Sequence, residues 1–248
     1  MRVTSTSLAE PIISPAMGKI FEVMDNLEYR RIITQEDFED IGRLRAQAFD
    51  ARAIYPKKMA NSSVDEMDFT PNAYVYGVYW YGELVSTIRL HVLSPEHPHS
   101  VSLKLFPEAL GPLVEQGMTF IDSTRFAVNE EVSHSMPGLP LLTLRIPMMA
   151  MTHFNADSGL ALIKEGHGSF YRKVFNATLL AGPKQFDVFA FPAVLYQSPH
   201  RNTPESCRRY PIFYSTASER RLMFEKPNEQ LPALTILPTA KYAMARAA

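Results

Sequence analysis

Charged residues inside an otherwise apolar strand pattern are the first candidates for chemistry. The segment 120–126 reads Phe-Ile-Asp-Ser-Thr-Arg-Phe, so Asp122 and Arg125 both fall within it. Because strand side chains alternate, we expect Asp122 and Thr124 on one face of the sheet and Ser123 and Arg125 on the other. A buried charge needs an opposite charge or a cleft. The segment therefore indicates either a buried ion pair, for instance of Arg89 with Asp122, or a cleft in which a carboxylate takes a proton from an amine while arginines orient the substrate.

The helices and strands that must position these residues can be read from the chain. Thr34 offers an N-cap hydroxyl before acidic residues, and apolar residues then recur at three- and four-residue steps, which predicts a helix to about Phe49. Tyr81-Gly82-Glu83 predicts a hairpin turn. The remaining pattern predicts strands over 27–33, 73–80, 84–93, 117–128, 160–163 and 186–196, and helices over 140–154 and 169–175. This order indicates the α+β class.

Composition excludes several classes of function. The chain has 248 residues, a net charge of −1 and 46% hydrophobic residues. Near-zero charge disfavours generic nucleic-acid binding, which depends on positive charge against phosphates. One cysteine, Cys207, and no cysteine–histidine cluster with zinc spacing favour a reducing, cytoplasmic location without a structural metal. The most apolar stretch, 139–151, contains Arg145 and Pro147 and falls short of the roughly 20 residues of a membrane-spanning helix.

An ordered series of residues in the first half resembles a known family. In chain order the series is Arg45, Phe49, Asp65, Asp68, Arg89, Phe106 and Asp122-Ser-Thr-Arg-Phe126. This series is similar to that of the acyl-homoserine-lactone synthases and of the N-acyl amino acid synthases of the FeeM type, both variants of the GNAT acyltransferase fold. Order and spacing agree from about Leu27 to Val128.

The second half separates the two branches of that family. Residues 167–177, HGSFYRKVFNA, resemble the H-x-x-F-Y-R-R-L-F-G-A segment of the FeeM type, and Pro192 to Leu195 resembles the apolar strand that follows it. The tryptophan that lactone synthases carry after the first helix is missing between Asp50 and Tyr55. The resemblance therefore favours the branch that acylates amino acids.

The resemblance implies a fold and a division of the chain. We expect an α+β, GNAT-like acyltransferase domain over 27–198, with a central, mostly antiparallel sheet flanked by helices. An N-terminal arm is expected over 1–26. A proline-rich C-terminal extension is expected over 199–248, as extended chain that packs on the domain or on a partner subunit in a homodimer.

The resemblance also implies roles for the series. Asp122 would act as the base, directly or through water, and Arg125 and Arg89 would organise the cleft. Backbone N–H groups at a splayed or bulged strand around 126–129 would bind the oxyanion. The other substrate-binding residues would be Arg45, Phe49, Asp65, Asp68, Phe106 and Phe126.

Other residues keep two interpretations open. Tyr171 lies where GNAT enzymes often hold a tyrosine that protonates the leaving thiolate, although a core aromatic is the simpler explanation. His167 could accept a proton or cap a helix. The histidines His91, His97 and His99 lack carboxylates or cysteines at ligand spacing, which disfavours a metal site. The methionines Met148, Met149 and Met151 fit a core better than an acyl tunnel.

The acyl donor is expected to be a pantetheine thioester, and no tightly bound cofactor is required. Residues 130–140 contain one glycine, two prolines and two acidic residues, which suits a pyrophosphate poorly. Acyl carrier protein is therefore expected in preference to acyl-coenzyme A, docking on Arg172 and Lys173, with an amino acid as acceptor. The alternatives are a lactone synthase that uses S-adenosylmethionine and a non-catalytic acyl-binding protein with this fold.

Overall fold

One mixed sheet organises the part of the chain that the computed structural model describes, residues 14–55, 63–136, 138–225 and 234–247. Its eight strands lie in the order β6-β7-β5-β4-β3-β2-β1-β8. β4 and β5 pair in parallel, and every other neighbouring pair is antiparallel. The strands are β1 (Leu27–Arg31), β2 (Ala73–Trp80), β3 (Glu83–Leu93), β4 (Phe120–Val128), β5 (Ser158–Lys164), β6 (Thr178–Lys184), β7 (Ala193–Pro199) and β8 (Thr235–Ile236).

Helices cover both faces of this sheet. The α-helices are α1 (Pro15–Met24), α2 (Gln35–Ala51), α3 (Val101–Leu105), α4 (Pro107–Glu115), α5 (Glu130–Ser135), α6 (Leu139–Phe154), α7 (Gly168–Phe175), α8 (Thr203–Arg209), α9 (Ala217–Phe224) and α10 (Ala240–Ala247). A 3-10 helix over Glu66–Phe69 leads into β2. Ala48 and Phe49 of α2 pack on Ala127 of β4, which defines the α2 face of the sheet. The buried side of α6 packs with Ile88 and Val128 on the opposite face, the α6 face.

Local signals explain the start of α2. The Thr34 hydroxyl accepts a hydrogen bond from the Asp37 N–H at 3.1 Å, and the Asp37 carboxylate accepts one from the Thr34 N–H at 3.1 Å. This reciprocal capping box is a strong helix start signal. It fixes α2, whose buried stripe carries Arg45 and Phe49 toward the sheet.

The predicted strand over 186–196 is wrong in its first half. The strand β7 begins only at Ala193, and the edge strand β6, which the sequence pattern did not predict, precedes it. The aromatic residues between these strands pack in the loop instead: Phe186 contacts Phe106 with ring centroids 5.1 Å apart, and Phe189 stacks on Tyr55 at 6.0 Å. Their hydrophobicity reflects these tertiary contacts, which outweigh strand propensity.

The two central strands separate in the middle of the sheet. Pairing of β4 with β5 ends at Ser123↔Ala161. On the other edge of β4 the register with β3 shifts between Thr124 and Ala127, so that Arg125 and Phe126 together oppose Ile88 in a β-bulge. Arg125 has a left-handed φ of 52°. The splayed and bulged strand expected around 126–129 thus lies slightly earlier, at 124–127.

Both ends of the chain add to the domain. In the N-terminal arm, α1 buries Met17, Phe21 and Met24 in the core. The C-terminal extension is mainly helical where it is described, which corrects the expectation of extended chain. Its contacts with the domain include apolar side chains in the core, such as Phe213 and Phe224, and a buried ion pair between Arg145 of α6 and Glu219 of α9.

Backbone groups of the extension form further hydrogen bonds with both members of this ion pair. Arg145 Nε donates to the Ile212 carbonyl at 2.7 Å and Nη2 to the Tyr214 carbonyl at 2.7 Å. Thr239 donates its N–H to Glu219 Oε2 at 3.1 Å. Because every one of these partners lies beyond residue 200, the pair ties three separate parts of the extension to α6. Among the described helices, none has the length and apolarity needed to cross a membrane.

Candidate functional site

A cavity of about 1170 Å³ lies where β4 and β5 separate. Its lining comes from both faces of the sheet. On the α2 face it includes Phe49, the 3-10 helix and α3, and on the α6 face it includes Ile88, Pro140, Leu144, Phe170 and Tyr171. The cavity therefore passes through the gap between the two strands, and groups bound on opposite faces can meet within the sheet.

Five charged side chains form an arginine–aspartate cluster on the α2 face of this cavity: Arg45, Arg89, Arg125, Asp65 and Asp68. Arg45 Nη1 donates to Asp68 Oδ1 at 2.9 Å. Arg89 Nη1 lies 2.5 Å from Asp65 Oδ1 and 3.3 Å from Asp68 Oδ2, and Arg125 Nη2 pairs with Asp65 Oδ2. Three guanidinium groups and two carboxylates leave one positive charge in excess.

The pKa values in the cluster follow from burial and pairing. Burial alone would raise the pKa of Asp65, but the charges and hydrogen bonds of Arg89 and Arg125 outweigh it and lower the pKa to about 2. Burial lowers the pKa of Arg45 to about 10 against the opposing effect of Asp68. At neutral pH Asp65 and Arg45 therefore both remain charged. Asp65 is thus a structural counter-ion and a weak proton acceptor.

The D-x-x-D spacing has a local structural cause. Asp65 is the N-cap of the 3-10 helix and accepts the Met67 N–H at 3.0 Å, while Asp68 accepts the Asp65 N–H at 3.0 Å. This reciprocal capping holds both carboxylates toward the arginines. Asp65 lines the cavity, whereas Asp68 and Arg45 are fully covered behind it.

The bulge brings Arg125 to the face opposite the one predicted by alternation. Thr124 accepts a hydrogen bond from Arg89 Nε at 3.1 Å on the α2 face, and Arg125 reaches Asp65 on that same face. The extra residue of a bulge breaks the two-residue period, so Thr124 and Arg125 point the same way. The prediction that Arg125 lies on the other face is therefore wrong.

Asp122 lies outside the cavity. Its side chain is fully buried, and it accepts hydrogen bonds from Ser100 Oγ at 2.5 Å, Ser102 N at 3.0 Å and Ser102 Oγ at 2.6 Å. The expected ion pair of Arg89 with Asp122 is not formed, because Arg89 pairs with Asp65 and Asp68. Ser123 and Thr124, the next residues of β4, do line the cavity. The structure therefore does not bring the Asp122 carboxylate to a position facing a bound amine.

Aromatic side chains form much of the remaining wall on the α2 face. The Tyr55 hydroxyl accepts a hydrogen bond from Arg125 Nη1 at 2.8 Å, and its ring packs on Phe49 and Phe189. Phe126 also lines the cavity, but Phe106 is buried behind the wall against Phe186. Tyr55 and Phe189 were not predicted as site residues. The three phenylalanines within residues 186–191 are the feature of the sequence that could have indicated an aromatic wall here.

Two further titratable candidates, Tyr171 and His167, line the cavity. Burial raises the pKa of Tyr171 to about 12, so its hydroxyl stays protonated. Partial burial, together with the charges of Lys164 and Arg52, lowers the pKa of His167 below its ordinary value of 6.5. His167 precedes α7 without capping it through its side chain. The cavity thus contains a neutral imidazole and a neutral phenol at pH 7.

The other candidates lie elsewhere. Met148, Met149 and Met151 are buried in the core of the α6 face and do not line the cavity. His91 is buried on β3, where its Nε2 donates to the Met67 carbonyl at 2.9 Å, and burial with the Arg89 charge lowers its pKa. Within the described ranges, no three histidine, cysteine, aspartate or glutamate side chains come together as a metal site.

The predicted carrier-docking residues are exposed on α7, next to the cavity wall formed by Phe170 and Tyr171. Arg172 Nη1 donates to the Tyr196 hydroxyl at 2.5 Å, and the Lys173 side chain faces solvent. Between β4 and α6, the short helix α5 has Glu130 and Glu131 in its first turn.

Comparison with known proteins identifies the family and the fold. The family model described as N-acyl amino acid synthase FeeM matches residues 40–199. The solved structure of FeeM, an N-acyl amino acid synthase from uncultured soil microbes, is 14% identical, with a TM-score of 0.59, covering 73% of this chain and 94% of that chain. The acyl-homoserine-lactone synthase LasI is 17% identical with a TM-score of 0.53, covering 70% of this chain and 89% of its own.

A third structure of the same fold is BjaI, a CoA-dependent acyl-homoserine lactone synthase solved with SAM and isopentyl-CoA. It is 15% identical, with a TM-score of 0.50, covering 73% of this chain and 87% of that chain. No curated protein matches the chain. At these identities the three structures establish the fold, and the family model carries the relationship in sequence.

Proposed function

Given that the chain belongs to the FeeM family of N-acyl amino acid synthases and is an N-acyltransferase of that type, we propose that it transfers an acyl group from acyl carrier protein to the amine of an amino acid. The observation that supports this most directly is the cavity that crosses the sheet, with the charged cluster on its α2 face and apolar side chains on its α6 face.

The charged cluster supports an acceptor that carries a carboxylate. Its excess of one positive charge remains after Asp65 and Asp68 are paired, and Arg89 and Arg125 are the two arginines of the cluster that line the cavity. A guanidinium can bind a carboxylate through two parallel hydrogen bonds. The α-carboxylate of the amino acid would lie against Arg125, with its amine directed toward the gap between β4 and β5.

The reaction is a direct acyl transfer. The neutral amine attacks the thioester carbonyl carbon, and β4 backbone N–H groups beyond Ser123 hold the tetrahedral oxyanion. The newly bonded nitrogen then loses a proton, and the C–S bond breaks to give the amide and a thiolate. The pairing of β4 with β5 ends at Ser123, so N–H groups beyond it on that edge can serve a substrate. No protein-bound acyl intermediate is required.

Two cavity residues are suited to the proton transfers. The acceptor ammonium first loses one proton to solvent. His167 takes the second proton from the nitrogen of the tetrahedral intermediate, directly or through water, because its imidazole is neutral at pH 7. Tyr171 donates its hydroxyl proton to the departing thiolate and is reprotonated from solvent. Asp65, with a pKa near 2, remains a counter-ion to Arg125 throughout.

The decisive experiment supplies purified protein with acyl carrier protein or coenzyme A loaded with the same acyl chain, and with a mixture of the common amino acids. Mass spectrometry should then detect N-acyl amino acids. The variant Arg125→Gln should lower product formation by about two orders of magnitude, because it removes a cation that orients the acceptor. Arg43→Gln, in an exposed pair with Asp40, is the matched control and should behave as the native protein.

Two outcomes would contradict the proposal. Lactone formed from S-adenosylmethionine, with no N-acyl amino acid, would place the protein on the other branch of the fold. Acyl binding without any product would indicate a non-catalytic acyl-binding protein.

The choice of donor has its own test. If an acidic carrier docks on α7, kcat/KM with the carrier should exceed that with acyl-coenzyme A and should fall as salt rises. Lys173→Glu should raise KM for the carrier alone, whereas Lys19→Glu, the same charge change on α1, should not. Equal efficiency with both donors would refute the carrier assignment. A carrier donor also places the reaction in the cytoplasm.

A further inference from the structure

Asp122 is held by the beginning of α3. Ser100 is the N-cap of that helix and Ser102 lies in its first turn, and together they give the carboxylate three hydrogen bonds. The side chains of Asp122 and Ser102 are both fully buried. A carboxylate at this end of a helix is favourable because it accepts N–H groups that have no partner within the helix.

The short α3 depends on such contacts for its position. It has five residues, far fewer than a helix needs to be stable by itself. Its other end is fixed by Phe106, which is buried and packs edge-on against Phe186 at 5.1 Å. Asp122 therefore supplies the polar anchor of α3, and Phe106 supplies the apolar one.

The opposite side of α3 forms part of the cavity wall. Val101, Lys104 and Leu105 line the cavity, while Ser102 points away from it to Asp122. Asp122 and Thr124 lie on the same face of β4, and Thr124 bonds Arg89 of the charged cluster. α3 is thus a wall of the cavity on the α2 face, where the acceptor would bind.

A neighbouring residue extends this anchoring to the 3-10 helix. His91 is paired with Asp122 across β3 and β4, and its Nε2 donates to the Met67 carbonyl in the 3-10 helix that carries Asp65. Two adjacent buried polar residues of the sheet therefore hold the two short helices on either side of the acceptor position.

We propose that Asp122 is a positioning residue, which acts on acyl transfer through α3 and not as the proton acceptor. The inference rests on the proposed acyl transfer for its kinetic readout. Loss of the carboxylate would loosen α3 and with it the wall at Val101, Lys104 and Leu105. The expected effect is weaker binding of the amino acid, with little change in the protonation state on which turnover depends.

The test compares Asp122→Asn with Ser102→Ala, which removes the hydroxyl donor from the other side of the same contact. Both variants should raise KM for the amino acid about tenfold while changing kcat by less than about threefold. The double variant should raise KM by less than the product of the two single effects, because the two residues share one of the three hydrogen bonds that hold Asp122. All three should keep the native dependence of kcat/KM on pH. Ser135→Ala, an exposed serine on α5, is the control.

Hydrogen exchange gives a readout that does not require activity. The amides of 102–106 should exchange faster in both single variants, while those of α2 and β3 stay protected. A native enzyme that makes no N-acyl amino acid would defeat the proposed function but leave this result standing. The positioning role is overturned if Asp122→Asn lowers kcat at least a hundredfold and removes the acid limb of the pH profile while Ser102→Ala stays native, or if exchange at 102–106 is unchanged.

Discussion

Replacing Glu219 with glutamine should weaken the attachment of the C-terminal extension to the domain. The side chains of Glu219 and Arg145 are fully buried, and Arg145 would keep its charge with only uncharged partners, among them the carbonyls of Ile212 and Tyr214. Removing one member of a buried ion pair destabilises a protein by about 3–5 kcal/mol. Total stabilities lie at about 5–15 kcal/mol, so the loss is a large fraction.

The expected change in melting temperature follows from chain length. For chains of this size, 1 kcal/mol corresponds to about 2–4 °C, so Glu219→Gln should melt about 6–20 °C below the native protein in a calorimeter. The control is Glu205→Gln, which breaks the exposed pair with Arg209, whose ion-pair atoms lie 2.6 Å apart. Exposed pairs contribute about 0–1 kcal/mol, so that variant should melt within about 4 °C of native.

The same experiment can refute the reasoning. If Glu219→Gln melts no lower than Glu205→Gln, the buried pair does not hold the extension. Limited proteolysis provides a second measurement, because a released extension should be cut after residue 200 before the sheet is attacked.

Three further predictions concern residues at or beside the cavity. Asp65→Asn should be less stable than the native protein at pH 7 by about 1–3 kcal/mol, since it loses charged hydrogen bonds. Because the folded pKa of Asp65 is about 2 and its ordinary value is 3.8, this stabilisation is present above pH 4 and disappears as pH falls toward 2, so urea unfolding of the two proteins should converge there. His167→Gln should lower kcat/KM at pH 7.5 by about a hundredfold, and in the native enzyme kcat/KM should fall as acid protonates His167 below pH 6.5. Gly168→Ala should cost about 1–3 kcal/mol, because its Cβ would overlap the Tyr196 hydroxyl.

Each of these has a control in the chain. Asp40→Asn, at an exposed ion pair, should not show the acid convergence seen for Asp65. His97→Gln, in the exposed loop after β3, should keep the native pH profile. Gly111→Ala meets no atom within 4 Å and sits in α4, so it should be neutral or slightly stabilising. Native behaviour of Asp65→Asn, His167→Gln or Gly168→Ala would contradict the corresponding argument.

Much of the fold could be predicted from local patterns. The helix start at Thr34, the hairpin at Tyr81 and the alternating strands gave the order of elements, and the ordered series of charged residues gave the family, which the family model confirms. The GNAT-like α+β fold is likewise confirmed by its solved neighbours. The helix start and the hairpin depend on residues close together in sequence. The family assignment depends on the order and spacing of the motif residues along the chain.

The details of the site depended on contacts that no local pattern contains. Alternation placed Arg125 on the wrong face because the bulge is set by the shifted register with β3. The charge of Asp122 indicated either a buried ion pair or a cleft residue, but Ser100 and Ser102, some twenty positions earlier, enclose it. Tyr55 and Phe189 stack on each other although they are more than a hundred residues apart in the sequence. In each case tertiary packing, and not the residue type, decided which side chains face the cavity.

At Arg125 an unfavourable backbone conformation and a side chain of the charged cluster occur in the same residue. A left-handed conformation disfavours a residue with a Cβ by roughly 1–2 kcal/mol, which glycine would not incur. Arg125→Gly would therefore relax the strand while removing the cation that reaches both Asp65 and Tyr55. A search for strained backbone, made to raise heat resistance, would select this substitution. The loss of the Asp65 and Tyr55 contacts would offset the relief of about 1–2 kcal/mol, and the protein would lack the cation proposed to orient the acceptor.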